Sequence, residues 1–390
     1  MAPDQYSTLM DALKMVPDPR KARGKRYPWT LLLTMIVAGL ACNYQTARAI
    51  AHWAKLHASE LHAALPELVR IPSASTLLRT LRQIDAGLLE QHLALFVANL
   101  PTTTPYAGCI ITPHGEVLQG QAIDGKSVRS ATAHGDRTHL VSLVQHESAV
   151  TLAQTEVACK RNEVSASQNL LAQRDLTGTV TTMDAGVTQR RIAEQIRQRG
   201  GHYLMVVKKN HPQMYAELAL FFELPGILAD NEHYDRCRSV NKGHGRLETR
   251  TLECLSGSCP EWQWADAAQV VRRTCVRLEH KKGKCSLTGS YALTSLTVEE
   301  ARAAALETLW RGHWTIENRK HYVRDVTLGE DRQPMHTGRA PQVLAAMRNA
   351  LIDLWRSLGW TNIADAVRDT AASVQRALTF IGVRPSTTLT

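Results

Sequence analysis

Hydrophobic and polar positions divide the chain into a helical first part and a strand-rich middle. Over residues 1–100 the apolar residues recur at helical spacing, which predicts an N-terminal helical domain. Residues 101–115 (PTTTPYAGCIITPHG) carry prolines and glycines without a helical period, and we interpret them as a linker. Beyond this segment the apolar residues follow the shorter period of strands. The change predicts a second domain of the α/β class.

The third predicted helix of the N-terminal domain has a basic outer side. It follows Pro72, and its N-cap is Ser73 or Ser75. Arg79 and Arg82 then point away from its leucine-rich inner side. Together with the preceding helix, this pattern resembles a helix-turn-helix reader of DNA, and we predict DNA contacts for both arginines. A plain helical bundle with solvated arginines explains the same residues equally well.

One apolar run resembles a secretion signal peptide. Residues 31–42 follow a basic stretch and end in GLAC. The basic stretch begins only after residue 20, behind several aspartates, and the apolar run is short for a membrane span. We therefore interpret the run as a buried helix and expect a cytoplasmic protein without membrane association.

Segments between residues 116 and 210 predict a mixed sheet with helices on its faces. Their order is β-β-β-α-β-α-β, and the first three strands are expected to be antiparallel. The predicted strands are residues 117–124, 139–146, 149–158, 178–184 and 203–207, and the predicted helices are residues 163–173 and 189–199.

The remaining segments predict a β-rich insertion, a further helix and a helical tail. The insertion covers residues 211–296, the last part of the core residues 297–335, and the tail residues 336–390. Five of the eight cysteines fall between residues 237 and 285, but their spacing matches no usual zinc pattern. Free thiols in a reducing compartment explain them, and a zinc site stays an alternative.

Two aspartates follow predicted strands. Asp124 ends the first and Asp184 ends the fourth. Sites in open α/β sheets form at the carboxyl ends of strands, so these carboxylates would face each other if the two strands are neighbours. A single aspartate after a strand is a common turn residue, and the pair is the more informative signal.

A third carboxylate lies in the stretch HWTIENRKHYVRDVTLGED, residues 313–331. On a regular α-helix, His313, Glu317 and Arg324 share one face. A carboxylate flanked by cationic groups suits a metal ion beside a phosphate, although a solvated helix with ordinary charge pairs is the alternative. The formal net charge of +10 favours a polyanionic partner.

Several motifs together resemble one family. AIDGKSVRSA and HWTIEN with its trailing GED are specific, and KRNEVSASQNLLAQRDLTGTVTTMDA and GGHYLMVVKKNHPQMY support them. They are similar to the ISAs1-type insertion-sequence transposases, also called H-repeat-associated proteins, within the IS4-like DDE group. Of the Tyr, Arg, Glu, Lys signature common on the last helix of that group, only Glu317 is identical here.

The resemblance implies an RNase H-like catalytic core whose metal ligands are Asp124, Asp184 and Glu317. It implies a Mg²⁺-dependent DNA transposase, with Mn²⁺ as a possible substitute, that acts on element ends and target DNA as a homodimer. We hypothesise that Asp124 bridges two ions, with water and then a 3′-hydroxyl as nucleophile. The predicted phosphate contacts are Lys126, Lys208, His313 and Arg324. An inactive relative that only binds DNA and a nuclease that does not join strands are the alternatives.

Overall fold

The computed structural model describes residues 6–21, 25–101, 109–128, 138–146, 148–157, 162–223, 233–243, 245–257, 263–279, 283–332 and 338–384. Residues 102–108 of the predicted linker therefore lie outside the described residues. The main helices, labelled in chain order, are α1 (Leu9–Lys14), α2 (Trp29–Ala41), α3 (Ala47–Leu56), α4 (Ala58–Ala64), α5 (Ala74–Gln83), α6 (Ala86–Ala98), α7 (Glu163–Ala172), α8 (Arg190–Gln198), α9 (Pro212–Glu223), α10 (Ala303–Gly312), α11 (Ala340–Ser357), α12 (Ile363–Thr370) and α13 (Val374–Ile381).

The first six helices and the last three form one helical body. A single hydrophobic core runs through α1 to α6 and through α11 to α13. The apolar run taken as a buried helix is α2, in which Leu32, Leu33 and Ile36 are fully buried. Gly39 in α2 allows α3 to pack closely against α2, because a Cβ added at Gly39 would lie 2.9 Å from Ile50. No helix among the described residues is long and apolar enough to cross a membrane.

Helix α5 has the cap and the faces that its sequence predicts. Ser73 is the N-cap and accepts a hydrogen bond from the backbone N–H of Thr76. Arg79 and Arg82 are exposed on the outer side. However, α4 lies between α3 and α5 in the chain, so no short turn joins them. This arrangement is a helical bundle, and the DNA contact of the two arginines stays a prediction.

The second half of the chain is built on a mixed sheet, as predicted. Its strands are β1 (Cys109–Ile111), β2 (Val117–Ser127), β3 (His139–Gln145), β4 (Thr151–Val157), β5 (Thr179–Met183), β6 (His202–Val207), β7 (Asp235–Gly243), β8 (Arg246–Ser256), β9 (Gln269–Glu279) and β10 (Lys284–Thr294). The spatial order is β4-β3-β2-β5-β6-β10-β9-β8-β7, and β1 pairs with β2. Strands β2, β3 and β4 are antiparallel neighbours, while β5 runs parallel to both β2 and β6.

The β-rich insertion continues this sheet instead of forming a separate layer. Strand β10 pairs antiparallel with β6, and Tyr291 lies opposite Val207. Helices cover both faces of the sheet. One face packs against α7, α8 and α9. The other face packs against α10, which delivers the next segment to the edge of the sheet where β5 ends.

The chain beyond α10 does not continue as a regular α-helix. A short α-helical turn, Trp314–Ile316, leads into π-helical turns at Glu317–His321 and Val323–Thr327. We call residues 317–327 the π segment. Its backbone bonds span five residues, as between the Leu328 N–H and the Val323 carbonyl at 2.9 Å. Turns of this kind are rare and occur often at functional sites.

Candidate active site

The register of β2 and β5 brings Asp124 and Asp184 together. The two strands are parallel, and Ile123 lies opposite Met183. Asp124 directly follows Ile123, and Asp184 directly follows Met183. The two aspartates therefore lie side by side where β5 ends. Strand β2 runs on to Ser127, so Asp124 is not at a strand end of its own. The sequence therefore identified the pair correctly and placed the end of β2 too early.

The charges around Asp124 show which side chains gather there. Its pKa is raised to about 6 by burial and by the charges of Glu163, Asp184 and Glu317, against a hydrogen bond from the Gly125 N–H. About a third (34%) of the Asp124 side chain is nevertheless exposed. Glu317 is exposed as well. The carboxylates thus form a negative cluster that solvent or a ligand can reach.

Lys208 neutralises part of this cluster. It follows the last residue of β6, and its Nζ lies 2.7 Å and 3.1 Å from the two carboxylate oxygens of Asp184. Burial raises the pKa of Asp184, but the hydrogen bonds from Lys208 and from the Ala185 N–H, together with the charge of Lys208, outweigh burial, and the pKa lies below its usual value. Lys208 is about half exposed, and its predicted phosphate contact stays a prediction.

His313 is held by a hydroxyl at the end of β5. The Thr182 hydroxyl donates to the Gln121 carbonyl, and His313 Nδ1 and His146 Nε2 lie 3.1 Å and 3.0 Å from its oxygen. Because the hydroxyl proton is already used, both imidazole nitrogens act as donors. Burial lowers the pKa of His313 to about 4 and that of His146 to about 3. His313 is therefore neutral at pH 7, so it does not add positive charge here, and its predicted phosphate contact stays a prediction.

Arg324 does not share a face with Glu317. The wider π-helical turns shift residues that are seven positions apart off a common face. Arg324 is only 1% exposed, and its guanidinium donates hydrogen bonds of 2.6 Å and 2.7 Å to Glu330. The predicted phosphate contact of Arg324 is therefore wrong, because the prediction assumed a regular α-helix.

Lys126 is also committed inside the protein. Its side chain is 8% exposed, and its Nζ lies 2.8 Å from Asp325 Oδ2 and 3.8 Å from Asp331 Oδ1. This ion pair ties β2 to the π segment and corrects the predicted phosphate contact of Lys126. Asp325 and Asp331 pair with Lys126, and Glu330 pairs with Arg324, whereas the charge of Glu317 acts on Asp124.

Sequence reasoning missed other side chains around Asp124. Glu163 is the first residue of α7, and its charge raises the pKa of Asp124 more than the charges of Asp184 and Glu317 do. His321 lies with Nδ1 3.7 Å from Asp124 Oδ2. Burial and the charges of Arg324 and Lys126 hold the pKa of His321 well below its usual value, so it is neutral. The glycine directly after Asp124 was the available signal, because glycine allows another side chain to come close.

The donor set suits a hard divalent cation. Asp124, Asp184 and Glu317 offer oxygen ligands, which Mg²⁺ prefers. Among the described residues, no group of three or more His, Cys, Asp or Glu side chains is arranged to hold a metal ion alone. Mg²⁺ usually needs only one or two carboxylates, with waters and substrate phosphates as its other ligands. The residues therefore fit an ion that is completed by a phosphate.

A family profile described as "Transposase DDE domain" matches residues 116–354, more than half of the chain. The chain belongs to the DDE transposase family. A second profile, described as "DDE_Tnp_1-associated", matches residues 10–97. The two matches cover the mixed sheet with its helices and the N-terminal part of the helical body, respectively.

Curated relatives carry transposase names as well. "Putative transposase YncI" of Escherichia coli O157:H7 is 27% identical over 367 residues, covering 90% of this chain and 87% of the relative. "H repeat-associated putative transposase YhhI" of Escherichia coli K12 is 28% identical over 242 residues, covering 60% and 63%. This chain is also similar to a solved chain from a piggyBac transposase synaptic complex with hairpin DNA. The match covers 95% of this chain and 76% of the solved chain. Its sequence identity to this chain is 9% and its TM-score is 0.38.

Proposed function

We propose that this DDE transposase cleaves and joins DNA strands at the ends of an insertion sequence, within an RNase H-like core. The observation that carries the proposal is the pairing of Ile123 with Met183, which puts Asp124 beside Asp184. The charge of Glu317 acts on the same carboxylate. Two carboxylates from neighbouring strands and one from a helix suit phosphoryl transfer that depends on Mg²⁺ or Mn²⁺.

Each carboxylate has a definable task in this reaction. Asp124, Asp184 and Glu317 would hold the divalent ions, and Asp124 is the least exposed of the three. When bound, such ions activate the attacking oxygen and neutralise the leaving oxygen. Lys208 offers its ammonium to Asp184 or to a phosphate that approaches it. His313 and His321, both neutral, fix the surroundings of the carboxylates without adding positive charge.

DNA as the partner is supported by the surface next to this site. A cleft of about 560 Å³ lies between β7 and α10. Arg238, Arg311 and Thr315 are among its lining residues, and Thr315 is two positions before Glu317. Arg79 and Arg82 add exposed positive charge on the helical body. We propose that these surfaces bind the phosphates of the element end and target, with a homodimer holding two ends.

The proposal is tested with purified protein, Mg²⁺ or Mn²⁺, and a duplex that carries one element end with flanking DNA. Strand cleavage followed by joining to a second duplex is the expected result. Cleavage without joining would identify a nuclease. Binding without cleavage in either metal would identify a DNA-binding relative and would overturn the proposed activity.

A further inference from the structure

We propose that Glu163 is a fourth carboxylate of the metal site, oriented by His139. The inference rests on the proposed function, since it assigns Glu163 to the same divalent ion as Asp124. A carboxylate placed there would bind the ion or one of its waters through the oxygen that does not contact His139. The four carboxylates would then be Asp124 from β2, Asp184 directly after β5, Glu163 from α7 and Glu317 from the π segment.

The backbone on either side of Glu163 leaves room for its carboxylate. A Cβ added at Gly125, the residue after Asp124, would lie 2.3 Å from Glu163 Oε1. A Cβ added at Gly186, two residues after Asp184, would lie 3.9 Å from Glu163 Oε2. The carboxylate therefore lies between the chain segments that carry the two aspartates. Any side chain at position 125 would displace it.

His139 holds this carboxylate in one orientation. Its Nε2 lies 2.5 Å from Glu163 Oε1, and its Nδ1 lies 2.9 Å from the Ser127 hydroxyl. The imidazole is buried, and His139 lies opposite Ser127 in the β2–β3 pairing. One ring nitrogen thus contacts Ser127 in β2, and the other lies close to Glu163 in α7. A histidine that fixes a carboxylate in this way is typical of the outer shell of metal sites.

The charge balance favours a ligand over a purely structural residue. A structural glutamate at the start of α7 would be stabilised by the helix dipole and by His139 alone. At its actual position the Glu163 carboxylate also lies against Gly125, the residue after Asp124, and so adds a second negative charge beside that of Asp124. Like charges held together on a buried edge destabilise the protein unless a cation enters between them. Replacing Glu163 with a neutral side chain should therefore cost metal affinity and leave the metal-free fold intact.

The experiment is a Mn²⁺ titration of the full chain, with Mn²⁺ alone as the probe. Free Mn²⁺ is followed by electron paramagnetic resonance, and the melting temperature is recorded in EDTA and in Mn²⁺. Glu163→Gln keeps the size of the side chain and an oxygen that can contact His139. His139→Gln tests the orienting contact. Glu194→Gln, an exposed carboxylate on α8, is the matched control, and Asp124→Asn reports on the site itself.

We expect Glu163→Gln to raise the Mn²⁺ dissociation constant about 10–100-fold, and His139→Gln to raise it less. The melting temperature of Glu163→Gln in EDTA should equal or exceed that of the wild type. Wild-type Mn²⁺ affinity in Glu163→Gln, together with lost binding in Asp124→Asn, would overturn the role of Glu163 and leave the proposed function standing. A lower melting temperature in EDTA with unchanged affinity would show a structural residue instead. Unchanged binding in Asp124→Asn would contradict the metal site itself.

Discussion

Glu330 accepts two hydrogen bonds from Arg324, at 2.6 Å and 2.7 Å, and both side chains are 1% exposed. Arg348 of α11 donates a further bond of 3.2 Å to Glu330. Arg348 also donates to the Gln45 side chain at 2.7 Å. This network fastens the π segment to the helical body, so the position of Glu317 depends on it.

Glu330→Gln should destabilise the protein strongly. The buried guanidinium groups of Arg324 and Arg348 would lose the negative charge of the carboxylate that they share, and breaking a buried ion pair costs about 3–5 kcal/mol. Urea unfolding gives the change in free energy. Asp365→Asn, in an exposed pair with Arg368, is the control and should cost about 1 kcal/mol or less. Equal losses in the two variants would show that the network does not stabilise the fold.

Gly312→Ala should disturb the approach of α10 to the sheet. A Cβ added at Gly312 would lie 2.2 Å from His146 Nδ1. His146 is only 2% exposed and also packs against Gly120, so its ring has little room to move away. Overpacking of this kind costs about 1–3 kcal/mol. Gly289→Ala in β10, where an added Cβ meets nothing within 4 Å, should be close to neutral.

A second substitution makes the Gly312 prediction specific. In the double variant Gly312→Ala with His146→Ala, the clash disappears. The loss of unfolding free energy in this double variant should therefore be smaller than the sum of the losses in the two single variants. Full additivity in the urea series would mean that the two residues are not in contact.

The free energy of unfolding should decrease as the pH is lowered, in part because of His146. Burial lowers the folded-state pKa of His146 to about 3, whereas an unfolded histidine titrates near 6.5. The unfolded state therefore binds more protons between these values, and this contribution is complete above about pH 6.5 and lost toward pH 3. Urea unfolding at pH 7.5 and 5 should show a smaller fall for His146→Asn than for the wild type. His52→Asn, exposed on α3, should follow the wild type.

Cleavage should be lost as the pH falls through about 6. Burial and the surrounding carboxylates raise the pKa of Asp124 to about 6, and a protonated Asp124 cannot bind a divalent ion. Removing the charge of Glu163 in Glu163→Gln should move the midpoint to lower pH. A pH profile of strand cleavage for the wild type, Glu163→Gln and Glu194→Gln measures this, and identical midpoints would contradict the shared charge cluster.

Much of the sheet and the aspartate pair followed from sequence. Alternating apolar positions and an aspartate directly after each run identify β2 and β5, because a strand buried on its faces carries that pattern. Strand β1 was missed, since three residues inside a proline-rich segment carry no period. The pairing of β10 with β6 was also not predicted, because it joins residues about 85 positions apart and has no local signal.

The errors in the site have one main cause. A π-helical turn has no recognised sequence signature here, so the α-helical period placed Arg324 beside Glu317. The pairing of Lys126 with Asp325 spans 199 positions and depends on the assembled fold. Glu163 looked like an ordinary residue of an amphipathic helix. The role proposed for it rests on the packing of α7 against the residue after Asp124.

Substitution of the carboxylates tests the central claim most directly. Asp124→Asn and Glu317→Gln are compared with Glu194→Gln for Mg²⁺-dependent cleavage of a duplex that carries an element end, and binding of the same duplex is measured in EDTA. The account predicts that the first two variants bind the duplex but do not cut it, while Glu194→Gln cuts like the wild type. Normal cutting by Asp124→Asn or Glu317→Gln would show that these carboxylates do not form the active site.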